Sequence, residues 1–331
     1  MQTLFEDRAK NRSIVGSGIS MVFSNKRYIL WFWLLNLALA VMGTSAFRAS
    51  AHSILDHSLY SQRLVQGFDL SVFVELLARP EFGPLSAVGV PAFSFAAVFF
   101  LFTALFLPGF FAGYGSTYRL PREDFFRACG RNLWRFIRLM IIAGIVMGIV
   151  AGILFGINGA VAKKATESTN EVLPFTLRMI GLFVIFLVMT TLRIWFDLAE
   201  ADVVLNDQRG VRKSLAAGFR HTFRSLGRLL SSYVFATIFA AIILVGGILF
   251  WERFVPSAGV VRAYIVSQLM LLLLLIPRFW QRGMAVSYWQ QKMLIPVVAV
   301  SDMIPSEPVP VAAVPEPATV IPETIAPGQG S

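Results

Sequence analysis

Cysteine, histidine and charge are all scarce in this chain, and each scarcity removes a class of function. A single cysteine, Cys129, stands among 331 residues, so no internal disulfide can form. With no histidine in a position to activate it, Cys129 reads as a packing residue and not as a nucleophile. The three histidines, His52, His57 and His221, all lie outside the long apolar runs, which leaves an intramembrane hydrolase without a base to face its nucleophile. No glycine-rich phosphate loop, no His-Glu-x-x-His and no Gly-x-Ser-x-Gly occurs, and no enzyme is expected. His52, Asp56 and His57 occur together and are of metal-binding types, but they fall short of the four ligands of a structural zinc site. Neither a metal nor a cofactor is expected.

Charged residues make up only 15% of the chain against 56% hydrophobic residues, including 30 Phe. That composition excludes an ordinary soluble domain. What is present instead is six apolar runs, near 28–47, 91–112, 139–158, 176–196, 229–250 and 263–280. About 20 such residues cross the hydrocarbon as a helix. Runs this long and continuous do not alternate as barrel strands do, and an open strand edge would leave backbone groups unpaired in lipid. The expected fold is therefore an all-α integral membrane domain over 28–295, preceded by a polar segment 1–27. From about Pro296 the chain carries half of its 16 prolines and no Lys or Arg, which predicts a disordered tail over 296–331.

The net charge of +10 sits in short connections, where topology accounts for it without nucleic acid. Lys26 and Arg27 precede the first run, Arg131, Arg135 and Arg138 the third, and Arg220, Arg224 and Arg228 the fifth. The opposite loops are poorer in basic residues. Both termini are expected in the cytoplasm of a bacterial cell, with the domain in its inner membrane, and no removed signal peptide is expected.

Two basic linkers have helical periodicity. Arg127, Arg131, Arg135 and Arg138 fall within roughly 80° on a helical wheel, opposite Phe125, Cys129, Leu133, Phe136 and Ile137. Lys213, Arg220, Arg224 and Arg228 repeat the pattern opposite Val211, Leu215, Phe219, Phe223 and Leu226. Both are expected to lie in the headgroup plane, apolar side down. They either fix topology or also bind anionic lipid, the expected partner. The long loop 48–88 is expected to hold one or two surface helices within 59–77.

The even-numbered runs end alike, in Phe110-Phe111, Trp195-Phe196 and Phe279-Trp280. A hairpin repeated three times would produce this order, although aromatic residues gather at interfaces in any membrane protein. The chain lacks the proline, acidic and basic signature that closes odd-numbered helices in mitochondrial-type carriers, since Pro108 and Pro277 close even-numbered runs. Val211-Arg-Lys-Ser-Leu215, then Phe219-Arg220, then Arg228-Leu229-Leu230 resembles the helix that leads into a span in six-span bacterial proteins. Those proteins are related to the membrane domain that accompanies some glycerophosphodiester phosphodiesterases. The likeness covers the layout of most of the chain and, in detail, residues 211–230. It implies a membrane domain with no chemistry of its own.

Ionisable groups inside spans are expensive and mark function by default. Arg193, Asp197, Glu200 and Asp202 crowd the end of the fourth run, with Arg193 and Asp197 four apart on one face. They either form a structural network with Arg278 and Arg282 of the sixth run or move protons or a cation. Asn36 and Gln268 are single amides suited to bonding between helices. Gly144, Gly148 and Gly152 lay a smooth stripe along the third run, for internal packing or a homo-oligomer seam. The expected function is that of a lipid-contacting envelope protein or an accessory subunit with a protein partner. The alternative is a transporter of a small solute or lipid, gated at the end of the fourth run.

Overall fold

The computed structural model describes residues 13–55, 85–116, 119–165, 172–254 and 260–293, with backbone only for 43–55, 85–92 and 260. The expectations for His52, Asp56, His57, the surface helices within 59–77 and the tail lie outside the described side chains. Among the described residues the chain is all helix: α1 Ile14–Ser24, α2 Lys26–Leu55, α3 Leu85–Gly115, α4 Arg122–Ala165, α5 Val172–Leu205, α6 Val211–Arg224, α7 Leu226–Phe254 and α8 Val260–Lys292. Five of these, α3, α4, α5, α7 and α8, are long and apolar enough to cross a membrane. The first expected run, 28–47, falls within α2, whose side chains are described as far as Met42.

Neighbouring helices pair α2 with α3, α4 with α5 and α7 with α8. Burial is concentrated at one end of the bundle, where an aromatic hub joins four helices. Tyr28 of α2 lies 5.2 Å from Phe125 of α4 and 5.4 Å from Phe110 of α3, and Phe110 lies 5.2 Å from Phe279 of α8, ring centroid to centroid. Away from this end the helices bare their apolar sides. No residue in the most apolar stretch of α4 is buried, and only 6% of those in α5 and α7 are. Surfaces that carry exposed Ile145, Ile149, Ile153, Ile242 and Leu249 belong against hydrocarbon. Gly144, Gly148 and Gly152 face no described residue of this chain within 4 Å. Asn36 is also turned inward on its own helix, donating to the Phe32 carbonyl at 2.7 Å.

Two expectations need correction. Residues 122–138 do not form a separate helix. They continue into the third span as one 44-residue helix, about 66 Å long at ~1.5 Å per residue. Nothing in the segment interrupts it: there is no proline, Glu123 and Asp124 suit its N-terminal dipole, and Lys163 and Lys164 suit its C-terminal one. The apolar face chosen by periodicity is buried in protein, with Phe125, Cys129 and Phe136 at 0–1% exposure. The segment 1–27 is likewise not merely polar, since it contains α1, N-capped by the Ser13 hydroxyl, which accepts from the Gly16 N–H at 3.1 Å.

α1 and α6 dock alike. Each ends at a break, Asn25 or Ser225, one residue before a long helix begins. α1 buries Ile14, Gly18 and Val22 against the end of α8, and α6 buries Ser214, Gly218 and Thr222 against the end of α5. An indole fastens each helix: Trp280 Nε1 donates to the Val15 carbonyl at 2.9 Å, and Trp195 Nε1 to the Leu215 carbonyl at 2.8 Å. A methyl on Gly18 would meet the Met284 backbone nitrogen at 2.9 Å, and one on Gly218 the Trp195 carbonyl oxygen at 2.9 Å. Backbone cannot retreat as a flexible side chain can.

Gly18→Ala and Gly218→Ala should therefore destabilise the protein by about 1–3 kcal/mol. Gly148→Ala, in open space, should be neutral or stabilising by up to ~1 kcal/mol from helix propensity. Thermal melts in one detergent test the ordering; equal effects at Gly148 and Gly218 would contradict the docking described.

Candidate functional site: a charged cluster at the packed end

The end of α5 is one of two wholly buried helix segments at the packed end, the other being residues 279–289 of α8. Every residue from Phe196 to Val203 is buried, and three of them are acidic: Asp197 at 6% exposure, Glu200 at 8% and Asp202 at 5%. A carboxylate so placed costs several kcal/mol unless it is paired or hydrogen-bonded.

Two of the three are held. The Tyr233 hydroxyl of α7 donates to Asp197 Oδ2 at 2.9 Å, with the Gln281 carbonyl a second acceptor at 3.0 Å. Arg193 Nε stands 3.8 Å from the same carboxylate oxygen, so the expected pairing one turn apart is present. Gln281 in turn donates from Nε2 to Thr237 Oγ1 at 3.1 Å, completing a polar tie between α7 and α8. Asp202 accepts from Trp289 Nε1 at 3.1 Å and from Asn206 Nδ2 at 3.5 Å. Among the described residues it bonds to neither Arg278 nor Arg282, and of the six residues in the expected network only Arg193 and Asp197 pair with each other.

Glu200 and Arg282 are different. Among the described residues Glu200 Oε2 has no hydrogen-bond partner, and neither do Nε and Nη1 of Arg282, a residue at 6% exposure on α8. The Arg282 guanidinium lies over the Phe279 ring, 5.6 Å from its centroid. The buried Tyr114 hydroxyl at the end of α3 is also without a partner among the described residues. Arg278, one turn before Arg282, is exposed at the rim. Tyr114, Tyr233, Gln281 and Trp289 were not among the expected site residues. Polar side chains within or just beyond apolar runs were their only sequence signal, and aromatic groups read first as interface anchors.

The basic helices place most of their charges outward. Arg127, Arg131, Arg138, Lys213, Arg220, Arg224 and Arg228 are exposed. Arg138 covers the exposed Trp134 ring at 5.1 Å, and Arg127 pairs with Asp124 at 3.1 Å. Arg131 and Arg135 are less available than expected. Both grip Asp207 in the α5–α6 connection, Arg135 Nη1 at 2.7 Å, which ties that loop to α4. Asp207 adopts a left-handed φ of 47°, a conformation that Asp tolerates better than most residues. Hydrogen bonding to Arg135 and Arg131 holds its carboxyl below the ordinary carboxylate range. His221, partly buried on α6 beside Arg224 and Arg220, is held below the usual imidazole value.

Tyr233→Phe leaves a buried carboxylate without its closest donor, so it should cost about 1–3 kcal/mol in thermal or denaturant unfolding. A melt indistinguishable from the parent protein would rule out a stabilising role for that bond. Asp207→Asn gives a pH test. A depressed folded pKa stabilises above the unfolded value and is lost as pH falls through the folded one. The parent protein should be the more stable at neutral pH, by no more than about 1 kcal/mol for so exposed a group. The gap should close as pH falls below the ordinary carboxylate range, and a gap that persists or widens in acid would mean that the bridges contribute nothing.

Comparison of the chain with models of known protein families, with curated proteins and with solved structures finds no match to any of them.

Proposed function

We propose that this chain is a six-span, non-enzymatic protein of the bacterial cytoplasmic membrane that contacts anionic lipid, as an envelope protein or as an accessory subunit of a larger complex. α2 supplies the sixth span, and the packed end faces the cytoplasm, where its excess of Arg and Lys belongs. The paired docking of α1 on α8 and of α6 on α5, with α4 against α3, supports three repeated hairpins, each passing its end to the next basic helix.

The observation that carries the lipid reading is the two-sided nature of α6. Its small face, Ser214, Gly218 and Thr222, is locked to α5, while Phe219 and Phe223 stay 46% and 53% exposed beside the exposed Arg220 and Arg224. Aromatic rings at the hydrocarbon edge with guanidiniums at the phosphate level suit an interfacial helix. Trp134 and Arg138 on α4 give the same combination.

Replacing Arg220, Arg224 and Arg228 together by Gln removes three charges, each worth about 1 kcal/mol near an anionic surface. Native mass spectrometry of protein extracted with its annular lipid should then show retained phosphatidylglycerol or cardiolipin reduced by more than about tenfold. Unchanged retention, with unchanged topology, would defeat the proposal.

A further inference from the structure

One face of α6 is locked to α5 and another carries the exposed Arg220 and Arg224; His221, partly buried in the last turn of the helix, stands between them. It is the one histidine whose side chain is described. Arg220 and Arg224 are neighbours four apart, and His221 and Arg224 are neighbours three apart, with ~5–6 Å between Cβ atoms in each pair. The three therefore form one patch. α8 fixes the turn that carries it. The Tyr288 ring stands 6.2 Å from the imidazole, centroid to centroid, at 74°. Its hydroxyl donates to Ser225 Oγ at 2.9 Å, with the His221 carbonyl a second acceptor at 3.4 Å. The Ser225 N–H closes the helix on that same carbonyl at 3.2 Å.

We propose that His221 makes the hold of α6 on anionic lipid pH-dependent, its protonated ring adding a third cation to the Arg220 and Arg224 patch so that binding tightens in acid. This rests on the lipid-contact reading above and names the regulation of that face. A lipid phosphate seated across Arg220 and Arg224 offsets their repulsion of the neighbouring imidazole and so favours its charged form. By linkage, the charged form favours the phosphate to the same degree. Without lipid, burial and then Arg224 and Arg220 hold the imidazole below its ordinary value, which keeps the empty patch at two cations near neutral pH. The C-terminal end of a helix also suits a cation, and His221 lies in the last turn of α6.

The groups that surround His221 leave this coupling intact. From α5, Asp202 favours the charged imidazole and is itself held by Trp289 Nε1 at 3.1 Å and Asn206 Nδ2 at 3.5 Å. From α8, Tyr288 offers an aromatic ring, which does not oppose a cation. On α4, Arg131 and Arg135 are closed on Asp207. Arg228, the first cation of α7, points outward, and Arg212 and Lys213 lie about two turns earlier on α6. Arg220 and Arg224 are therefore the cations to which the imidazole answers.

The test uses the full chain in phosphatidylcholine vesicles with increasing fractions of brominated phosphatidylglycerol, whose phosphodiester keeps its charge between about pH 5 and about pH 8, the range in which histidine titrates. Bromine quenches nearby tryptophans, and Trp195 packs on Phe219 of this face at 5.2 Å. The quenching lost in Arg220→Gln with Arg224→Gln is the signal of the patch. The parent protein should bind about fivefold more tightly at the acid end, the effect of one further charge near an anionic surface. His221→Gln should bind at the parent's alkaline level at both pH values, and His221→Arg at its acid level at both. His52→Gln with His57→Gln should respond to pH as the parent does. If the double arginine variant is quenched like the parent, the lipid-contact reading fails and this inference with it. If the arginines matter but the parent binds equally at both pH values, or His221→Gln keeps the parent's response, the inference alone is overturned.

Discussion

Lipid gives apolar helices no hydrophobic reason to associate, so helices in a membrane come together only where something other than burial of hydrocarbon draws them. That constraint explains why this chain packs tightly at one end. There, glycines let backbones approach, indoles donate to carbonyls, and buried carboxylates find a tyrosine or an indole. Beyond it, isoleucine and leucine surfaces of α4, α5 and α7 stay uncovered by the chain itself. The position of the core follows from the placement of Gly18, Gly218, Trp195 and Trp280 more than from overall hydropathy.

The same constraint organises the polar chemistry. A buried ion is tolerated when its partners are fixed, and Asp197 and Asp202 meet that condition through contacts with α7 and α8. These contacts tie the end of α5 to its neighbours and give the packed end a defined register. Glu200 and Arg282 do not meet it, although they occupy the same enclosed region. The contrast between satisfied and orphaned carboxylates on one helix is one that their spacing alone does not show.

Much of the architecture was legible in the sequence because lipid enforces it. Long apolar runs must be helices, and all six expected runs fall within helices. The Arg193–Asp197 pair was readable from its spacing of four. The aromatic pairs were visible as a pattern, but their work, Trp195 and Trp280 clamping α6 and α1, depends on which backbone passes beneath them. Periodicity found the two faces of residues 122–138 correctly and misjudged the environment, because an apolar stripe looks the same whether it meets lipid or protein. α1 was hidden by its short length and mixed flanks. The orphaned state of Glu200 and Arg282 is a fact of three dimensions that no one-dimensional pattern contains.

The proposed function requires that the packed, basic end lie on a single side of the membrane. Single-cysteine labelling tests that most directly, in a Cys129→Ser background that removes the one native thiol. With a membrane-impermeant maleimide, Lys213→Cys at the packed end should react only in inside-out vesicles. Lys163→Cys at the far end of α4 should react only in right-side-out ones. Labelling of both positions from the same side would contradict the account.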